Sequence, residues 1–463
     1  MIKSFSEAVK YLEQYIPTDE QKHPGRLGIE RMFYLVSLLG NPQVNFRTIH
    51  VGGTSGKGST ATLIATILSS KYKVGLHTSP HLERINERMK LVVTRLPARQ
   101  GRSSSRRLRD PAETGLVVSK DISDKDFIEL INKIKPAVRK MEGSKLGVPS
   151  YFEILTGMAF LYFKEQKVDL AVIEVGMGGR FDATNVIKPE VAVITNVGLD
   201  HIEVLGETVE EIARDKTGII KKGITVVSGV DQQSVIKILE EKTKREKAKL
   251  YLLNRDFDFK IQRISQQGSV FDYRGNKKMR NLALRLLGEH QIENAAIAIK
   301  TVEEWNGISE KDIRMALKNT QIAGRLEIVR KKPLVILDGA HNPDKMKALV
   351  KAIKTIWRDK KVTLVLAIKE GKDALEMLRL ILPIAKKVIL TKYQLLTDQG
   401  NIRSYDPVKI KKIIDENKYN IEIEIINKAQ EAVEKTLRTA HEEDLILVSG
   451  SLYLIGIIRS LYG

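Results

Sequence analysis

The sequence predicts an α/β protein: two domains on mostly parallel sheets, the first carrying a small antiparallel meander. Three observations predict it. Short apolar, β-branched runs alternate with stretches of helical spacing along the 463 residues, the signature of βαβ units. Between residues 250 and 285 that rhythm gives way to alternating polar and apolar positions, as in a half-solvated antiparallel ladder. Near Asn319–Arg325 a helical stretch ends before Gly324 and a fresh strand series begins, dividing the chain into residues 1–322 and 323–463.

The elements follow in order. Phe5, Ala8, Val9, Leu12 and Ile16 make an amphipathic helical stripe, broken by Glu7, Lys10 and Glu13, so the N-terminus is not expected to be a signal peptide. Arg47–Val51 reads as a buried strand, Gly52–Ser59 as a glycine-rich turn, and Ala61, Leu63, Ile64, Ile67 and Leu68 as the face of a helix. Strand, glycines, Lys57, hydroxyl and helix form the context of a phosphate-binding loop. Its backbone N–H groups and the helix N-terminus favour anions, and Lys57 reaches the outer phosphates. A plain glycine connector is the alternative, which the lysine disfavours.

Residues 94–118 carry Arg95, Arg99, Arg102, Arg106, Arg107 and Arg109, a Ser103–Ser105 run, two prolines and no lysine. We expect a disordered surface insertion there, with a basic arm for an anionic partner as the sharper alternative. Strands follow at 169–174, 191–195 and 224–227, then the meander at 251–256, 260–264 and 270–274, then a helix at 291–305. The second series is 334–337, 362–366, 388–390, 421–425 and 445–448. The expected architecture is an N-terminal P-loop ATPase-type domain and a C-terminal Rossmann-like domain.

Composition narrows the function. There is no cysteine, which excludes disulfides and thiolate metal sites, and a formal net charge of +20. Such a charge makes nucleic acid the first partner to consider. The lysines are scattered over ordinary amphipathic segments, however, and a nucleic-acid partner is not expected. No run of about twenty apolar residues exists to cross a membrane. We expect a cytoplasmic monomer acting on small molecules.

In doubly wound sheets ligands gather beyond the carboxyl ends of the strands, so polar residues there are informative. Glu174 ends one strand and is followed by Gly176, Gly178 and Gly179. A carboxylate beside a phosphate loop suits Mg²⁺, which combines few carboxylates with water and phosphate oxygens; a helix cap or salt bridge is the alternative. The next strand leads through Asn196 and Gly198 to His201, and in the second domain Asp338-Gly-Ala-His341-Asn-Pro343 follows a buried strand. Both look like cleft-facing turns. Lys216, by spacing alone, is one surface lysine among many.

Together these residues resemble the folylpolyglutamate synthase/dihydrofolate synthase family of the Mur-type ATP-dependent ligases. The matching pieces run nearly end to end: Arg31-Met32, Leu39–Pro42, His50–Ser59, Thr78–Leu82, Asn86–Arg88, Tyr151–Thr156, Glu174–Arg180, Gly198–His201, Gly288–Asn294, Ala323–Glu327, Asp338–Pro343 and Ser449–Tyr453. Gly58, which separates Lys57 from Ser59 against the stricter loop pattern, belongs to this family's own form.

The resemblance implies a reaction in which ATP phosphorylates a carboxylate on a pterin-bearing substrate and the amine of glutamate attacks the acyl phosphate. It implies ATP contacts at Gly53, Thr54, Ser55, Gly56, Lys57, Gly58 and Ser59, and at Asn294, Arg325 and Asp338, with His341 close by. It implies Mg²⁺, with two ions expected, near Ser79, Glu174 and His201, and Lys216 carbamylated as an anionic ligand. Lys57, Glu174, His201, Lys216 and His341 make up the implied catalytic set. Ser150, Tyr151, Phe152, Glu153, Phe181, Asp182 and Ala183 match the segments that contact the dihydropteroate part of the substrate.

Departures are Ser55 for the usual Asn, Ser150 for Thr, a degenerate Ala367–Asp373, and the insertion within a hairpin between Leu91 and Ile122. None removes a phosphate or metal group. A peptidoglycan-precursor Mur ligase is the nearest alternative, disfavoured because its extra N-terminal domain has no room before Gly52. A P-loop nucleic-acid ATPase leaves the Asp338–Pro343 and Ser449–Tyr453 stretches without a purpose, and a non-catalytic binding protein has no need of Glu174, His201 and Lys216 beside the loop.

Overall fold

Arg47–Gly52 (β1) is buried on both faces beyond its first residue, as a central parallel strand must be. The computed structural model describes residues 1–18, 25–95, 116–305, 307–398 and 400–462. The other strands of the first sheet are Val74–His77 (β2), Met89–Arg95 (β3), Leu116–Asp121 (β4), Leu170–Glu174 (β5), Val191–Ile194 (β6), Thr225–Ser228 (β7) and Lys249–Leu252 (β8). Their order is β4-β3-β2-β5-β1-β6-β7-β8. All neighbours are parallel except β2 with β3 and β3 with β4.

Register decides where chemistry gathers. Val51 lies opposite Glu174, and Gly52 opposite Ile194, so β1, β5 and β6 end at one level. One face of this sheet packs on the helix Lys57–Leu68, the helix Glu289–Glu303 and a three-stranded meander in a single apolar cluster that includes Ile64, Ile292, Phe271 and Leu282. The meander consists of Asp258–Ser265 (β9), Gly268–Arg274 (β10) and Lys278–Leu284 (β11), paired antiparallel. Helices Asp124–Glu142 and Tyr151–Glu165 cover the other face through Phe127, Ile134, Phe160 and Phe163.

Two expectations change. The stretch expected to open the meander at 251–256 instead contributes Tyr251 and Leu252 to β8, which pairs parallel to β7. Its burial runs from exposed Lys249 to buried Leu252, because an edge strand is half solvated and so mimics an antiparallel pattern. The insertion is narrower than 94–118: Thr94 pairs with Val117 and Arg95 with Leu116 in the β3–β4 ladder. The remainder of that reading, residues 96–115, lies outside the described residues.

The second sheet is built from Glu327–Lys331 (β12), Leu334–Leu337 (β13), Val362–Leu366 (β14) and Ala385–Lys392 (β15). After a hairpin of Gln394–Thr397 (β16) and Gly400–Arg403 (β17) come Glu422–Lys428 (β18) and Leu445–Ser449 (β19). The order β12-β13-β19-β14-β15-β18 is parallel except at the β12 edge. Leu337 lies opposite Val448 and Leu366 opposite Ser449, so Asp338 and the Ser449–Tyr453 turn emerge side by side.

Charged ties span the two sheets. Arg88 pairs with Asp398 at 2.8 Å, Lys372 with Asp200 at 2.8 Å, and Arg459 reaches both Glu83 and Glu327. They turn the carboxyl-end loops of both sheets toward one cleft. Among the described residues no helix is long and apolar enough to cross a membrane.

Candidate active site

The loop after β1 is fixed by the end of β6. Gly53 adopts φ +138°, and a Cβ there would fall 1.9 Å from Thr195 Oγ1, so only glycine fits. Thr195 Oγ1 donates to Ser55 O at 2.6 Å, and Asn196 Oδ1 accepts from Ser55 N at 2.8 Å. Thr54 Oγ1 accepts from Gly198 N at 3.0 Å. Beneath the loop Asn294, on the helix Glu289–Glu303, accepts from Thr60 Oγ1 at 3.3 Å and donates to Gln291 at 3.1 Å.

Two ammonium groups share one carbonyl. Lys57 Nζ donates to Gly53 O at 3.0 Å and Lys216 Nζ donates to the same atom at 3.1 Å. Lys216 ends the helix Val209–Lys216 and is only 4% exposed. It is therefore no surface lysine, as its spacing alone suggested. Burial, then the charge of Lys57, pushes its pKa down to about 7. Glu174 is also buried and accepts from Ser79 N through Oε2 at 2.9 Å. Burial raises its pKa, with Lys57 as the main opposing influence. The extra glycine of the loop lies against this carboxylate: a Cβ on Gly58 would stand 3.4 Å from both of its oxygens.

His201 begins the turn Ile202–Leu205 with φ +53°. Burial, opposed by Asp200, pushes its pKa down to about 4, so its imidazole is neutral and offers a lone pair. Asp200 itself accepts from Lys372 Nζ at 2.8 Å and Asn342 Nδ2 at 3.1 Å.

The second domain supplies the opposite wall. Asp338 accepts from Leu326 N and Ala340 N, each at 2.9 Å, and so clamps Arg325 beside the Gly339–Asn342 turn. Burial raises its pKa, with Arg325 opposing. His341 Nδ1 donates to Gly339 O at 2.8 Å, which leaves Nε2 as the acceptor for Lys345 Nζ at 2.9 Å. Burial and then Lys345 hold this imidazole neutral, well below its ordinary pKa.

Between the walls lies an open cleft of about 1070 Å³, lined by the Gly53–Ser59 loop, Ser79, Glu174, His201, Lys216, Arg325 and His341. Six lysine and arginine side chains and two carboxylates line it among the described residues, so it is built for anions. Asn294 and Asp338 support its walls without lining it. No three histidine, aspartate or glutamate side chains converge there among the described residues. The buried Glu174 carboxylate, in a cleft also lined by Ser59 and Ser79, suits a Mg²⁺ that draws its remaining ligands from water and phosphate.

Ser150–Glu153 and Phe181–Ala183 stand apart from this cleft. Ser150 and Glu153 form a capping box on the helix Tyr151–Glu165, and Glu153 also takes a two-pronged bond from Arg31 at 2.9 and 3.1 Å. Tyr151 faces the Arg88 guanidinium at 6.0 Å, and Phe152 faces the His77 ring at 6.2 Å. Asp182 accepts from Met177 N at 2.8 Å and from Thr184 Oγ1 at 2.5 Å, tying Ala183's segment to the Gly176–Gly178 turn that does line the cleft. Phe181 is 38% exposed under Arg180.

Sequence reasoning missed the cleft roles of Asp200, Lys345 and Lys372. Asp200 and its neighbour His201 stood in a recognised motif, and the aspartate's partners on the other sheet were the missing information.

Two family models match the chain: the Mur ligase middle domain over residues 131–302 and the Mur ligase glutamate ligase domain over residues 324–452. The dihydrofolate synthase/folylpolyglutamate synthase of Bacillus subtilis (strain 168) is 32% identical, over 93% of this chain and 94% of its own. The crystal structure of folylpolyglutamate synthase from Thermotoga maritima superposes with TM-score 0.80 at 33% identity, covering 99% of this chain and 96% of the other. A complex of a folylpolyglutamate synthase with AMPPCP and folate gives TM-score 0.79 at 29% identity, with both chains covered completely.

Proposed function

The chain belongs to the folylpolyglutamate synthase/dihydrofolate synthase family of Mur ligases, and from that premise we propose how its cleft works. The protein is an ATP-dependent ligase that joins glutamate to folates. A carboxylate is a poor acyl donor, and phosphorylation gives it a leaving group. The folate-type carboxylate attacks the terminal phosphorus of ATP, and ADP departs. The glutamate amine then attacks the acyl carbon, phosphate leaves with the C–O bonding pair, and the amine nitrogen loses a proton.

One observation carries this reading. The Gly53–Ser59 loop, Glu174 and Lys216 meet at the ends of β1 and β5, and face Arg325 and His341 from the other sheet. Phosphoryl transfer depends on positioning and on positive charge around the moving group. Lys57 and Arg325 supply charge, and the loop's N–H groups cradle the phosphates. Asn294, bonded to Thr60 behind the loop, and Asp338, bonded to Leu326 N beside Arg325, hold the groups that contact the nucleotide in place. Mg²⁺ would be held by Glu174 and Ser79 with His201 beside them, neutralising phosphate oxygens.

Lys216 is the seat of a carbamate. A lysine with a pKa of about 7 presents a free amine near neutrality. That amine adds to CO₂ and loses a proton, replacing a buried cation by anionic oxygens suited to a second Mg²⁺. The pterin-bearing part of the substrate lies beyond the Gly176–Gly178 turn, along Ser150–Glu153 and Phe181–Ala183, where Phe181 offers an open aromatic face. We place the division between domains at 322/323, and we take the monomer as the working unit, since both walls come from one chain.

Purified protein should release ADP when ATP, glutamate and a pterin acid are all present, and not when either glutamate or the pterin acid is omitted. Running dihydropteroate against tetrahydrofolate in the same assay decides which acid is accepted. Equal ATP turnover with single-stranded DNA and no glutamate would reverse the assignment.

A further inference from the structure

Lys345 was invisible as a functional residue in the sequence, and the structure places it in the cleft wall opposite the phosphate loop. We propose that Lys345 is a phosphate-contacting cation contributed by the second domain, directed at the transferring phosphoryl group, with His341 as its holder. The proposal rests on the cleft being the ATP site and extends that reading to a residue it had not included.

The first support is the bonding of the ammonium. Its hydrogen bond goes to His341 Nε2 at 2.9 Å, and among the described residues it forms no ion pair. Because His341 Nδ1 donates to Gly339 O, the ring is neutral and bears no charge to match the cation. A lysine has three N–H donors, so further donors remain for a ligand. The acids nearby are engaged elsewhere: Asp200 by Lys372 and Asn342, Asp338 by two backbone N–H groups.

The second support is how rigidly the lysine is carried. It is the third residue of the helix Pro343–Ile356, whose N-cap Asn342 accepts from Lys345 N at 3.0 Å. The same Asn342 donates to Asp200 of the first domain, so one side chain fixes both the start of the helix and its position over the cleft. Burial lowers the pKa of Lys345 to about 7, opposed first by Asp200, while Lys57 and Arg325 lower it further. Positive neighbours crowd the ammonium, and a phosphate among them relieves that repulsion. A phosphate beside it favours the protonated amine, so Lys345 rather than the neutral His341 carries the charge of its turn once the site is filled.

The experiment compares wild type, Lys345→Met and Lys345→Arg by calorimetric titration with AMPPCP and with ADP, each with Mg²⁺, alongside ADP release in the complete reaction. Removing a charged hydrogen bond predicts a loss of AMPPCP affinity of about 10- to 100-fold in Lys345→Met, with ADP affinity changing less than about threefold and Lys345→Arg recovering most of the loss. The urea midpoint is followed in parallel. AMPPCP affinity unchanged in Lys345→Met, or equal losses for AMPPCP and ADP, would overturn the proposal. A wild type that binds AMPPCP yet releases no ADP with folate and glutamate would sink the ligase reading instead.

Discussion

Removing the charge of Asp398 tests how the two sheets are held together. Arg88 is 1% exposed and its Nη2 meets Asp398 at 2.8 Å, while Nε donates to His81 Nδ1 at 3.0 Å. Among the described residues Arg88 Nη1 and Asp398 Oδ1 have no hydrogen-bond partner, and the aspartate is the only carboxylate paired with the guanidinium there. His81 supplies no counter-charge: burial and then Arg88 press that imidazole's pKa down to about 4.

Asp398→Asn keeps the shape and leaves a buried cation unpaired. Breaking a buried pair costs about 3–5 kcal/mol, and the 12% exposure of Asp398 argues for about 3 kcal/mol. With an m-value of about 2–3 kcal/mol/M in urea, the midpoint should fall by about 1–1.5 M. The chain has two tryptophans, Trp305 in the first core and Trp357 in the second. Single-tryptophan variants therefore read each domain separately, which matters because a chain with two cores need not unfold in one step. Arg88→Met with Asp398→Leu should regain most of the loss, since no charge is then left buried. A midpoint for Asp398→Asn within about 0.2 M of wild type, or a double variant equally unstable, would refute the reasoning.

Two further outcomes are expected in the loop. Gly53→Ala drives a methyl into Thr195 Oγ1 at φ +138°, expelling the hydroxyl from Ser55 O. A displacement of that size should cost about 10²-fold in kcat/KM for ATP, and steady-state kinetics with folate saturating would show it; wild-type kinetics would mean that the loop adapts. The Lys216 amine, with a pKa of about 7 rather than the usual 10.5, is protonated below that value and free above it. At pH 8 about nine-tenths is free, against under about one per cent for an ordinary lysine. Carbamate formation, followed by NMR with ¹³C-bicarbonate, should rise with pH from 6 to 8 and vanish in Lys216→Arg; no signal at pH 8 would remove the carbamate.

What could be read from the sequence was local. β1, β5, β6 and β13 are short apolar runs ending in residues that a core would not choose, and the ends of such strands are where ligands bind. Gly53–Ser59, Glu174, His201 and His341 all follow from that rule and meet at the cleft. β8 was misplaced for an equally local reason, since an edge strand's half-burial imitates a meander. Lys216 was named only through the family resemblance, and Lys345 not at all, because nothing in their neighbourhood of sequence separates them from other helical lysines. What distinguishes them is contact over distance: Lys216 reaches Gly53 across 163 positions, and Lys345 acquires its setting from Asp200, which Lys372 holds from 172 positions away. A strand can announce a site by how it ends, but a helix announces one only through what it packs against. The two lysines that spacing does not distinguish are those whose charge depends on the assembled cleft: burial lowers each to a pKa of about 7, with Lys57 lowering both further.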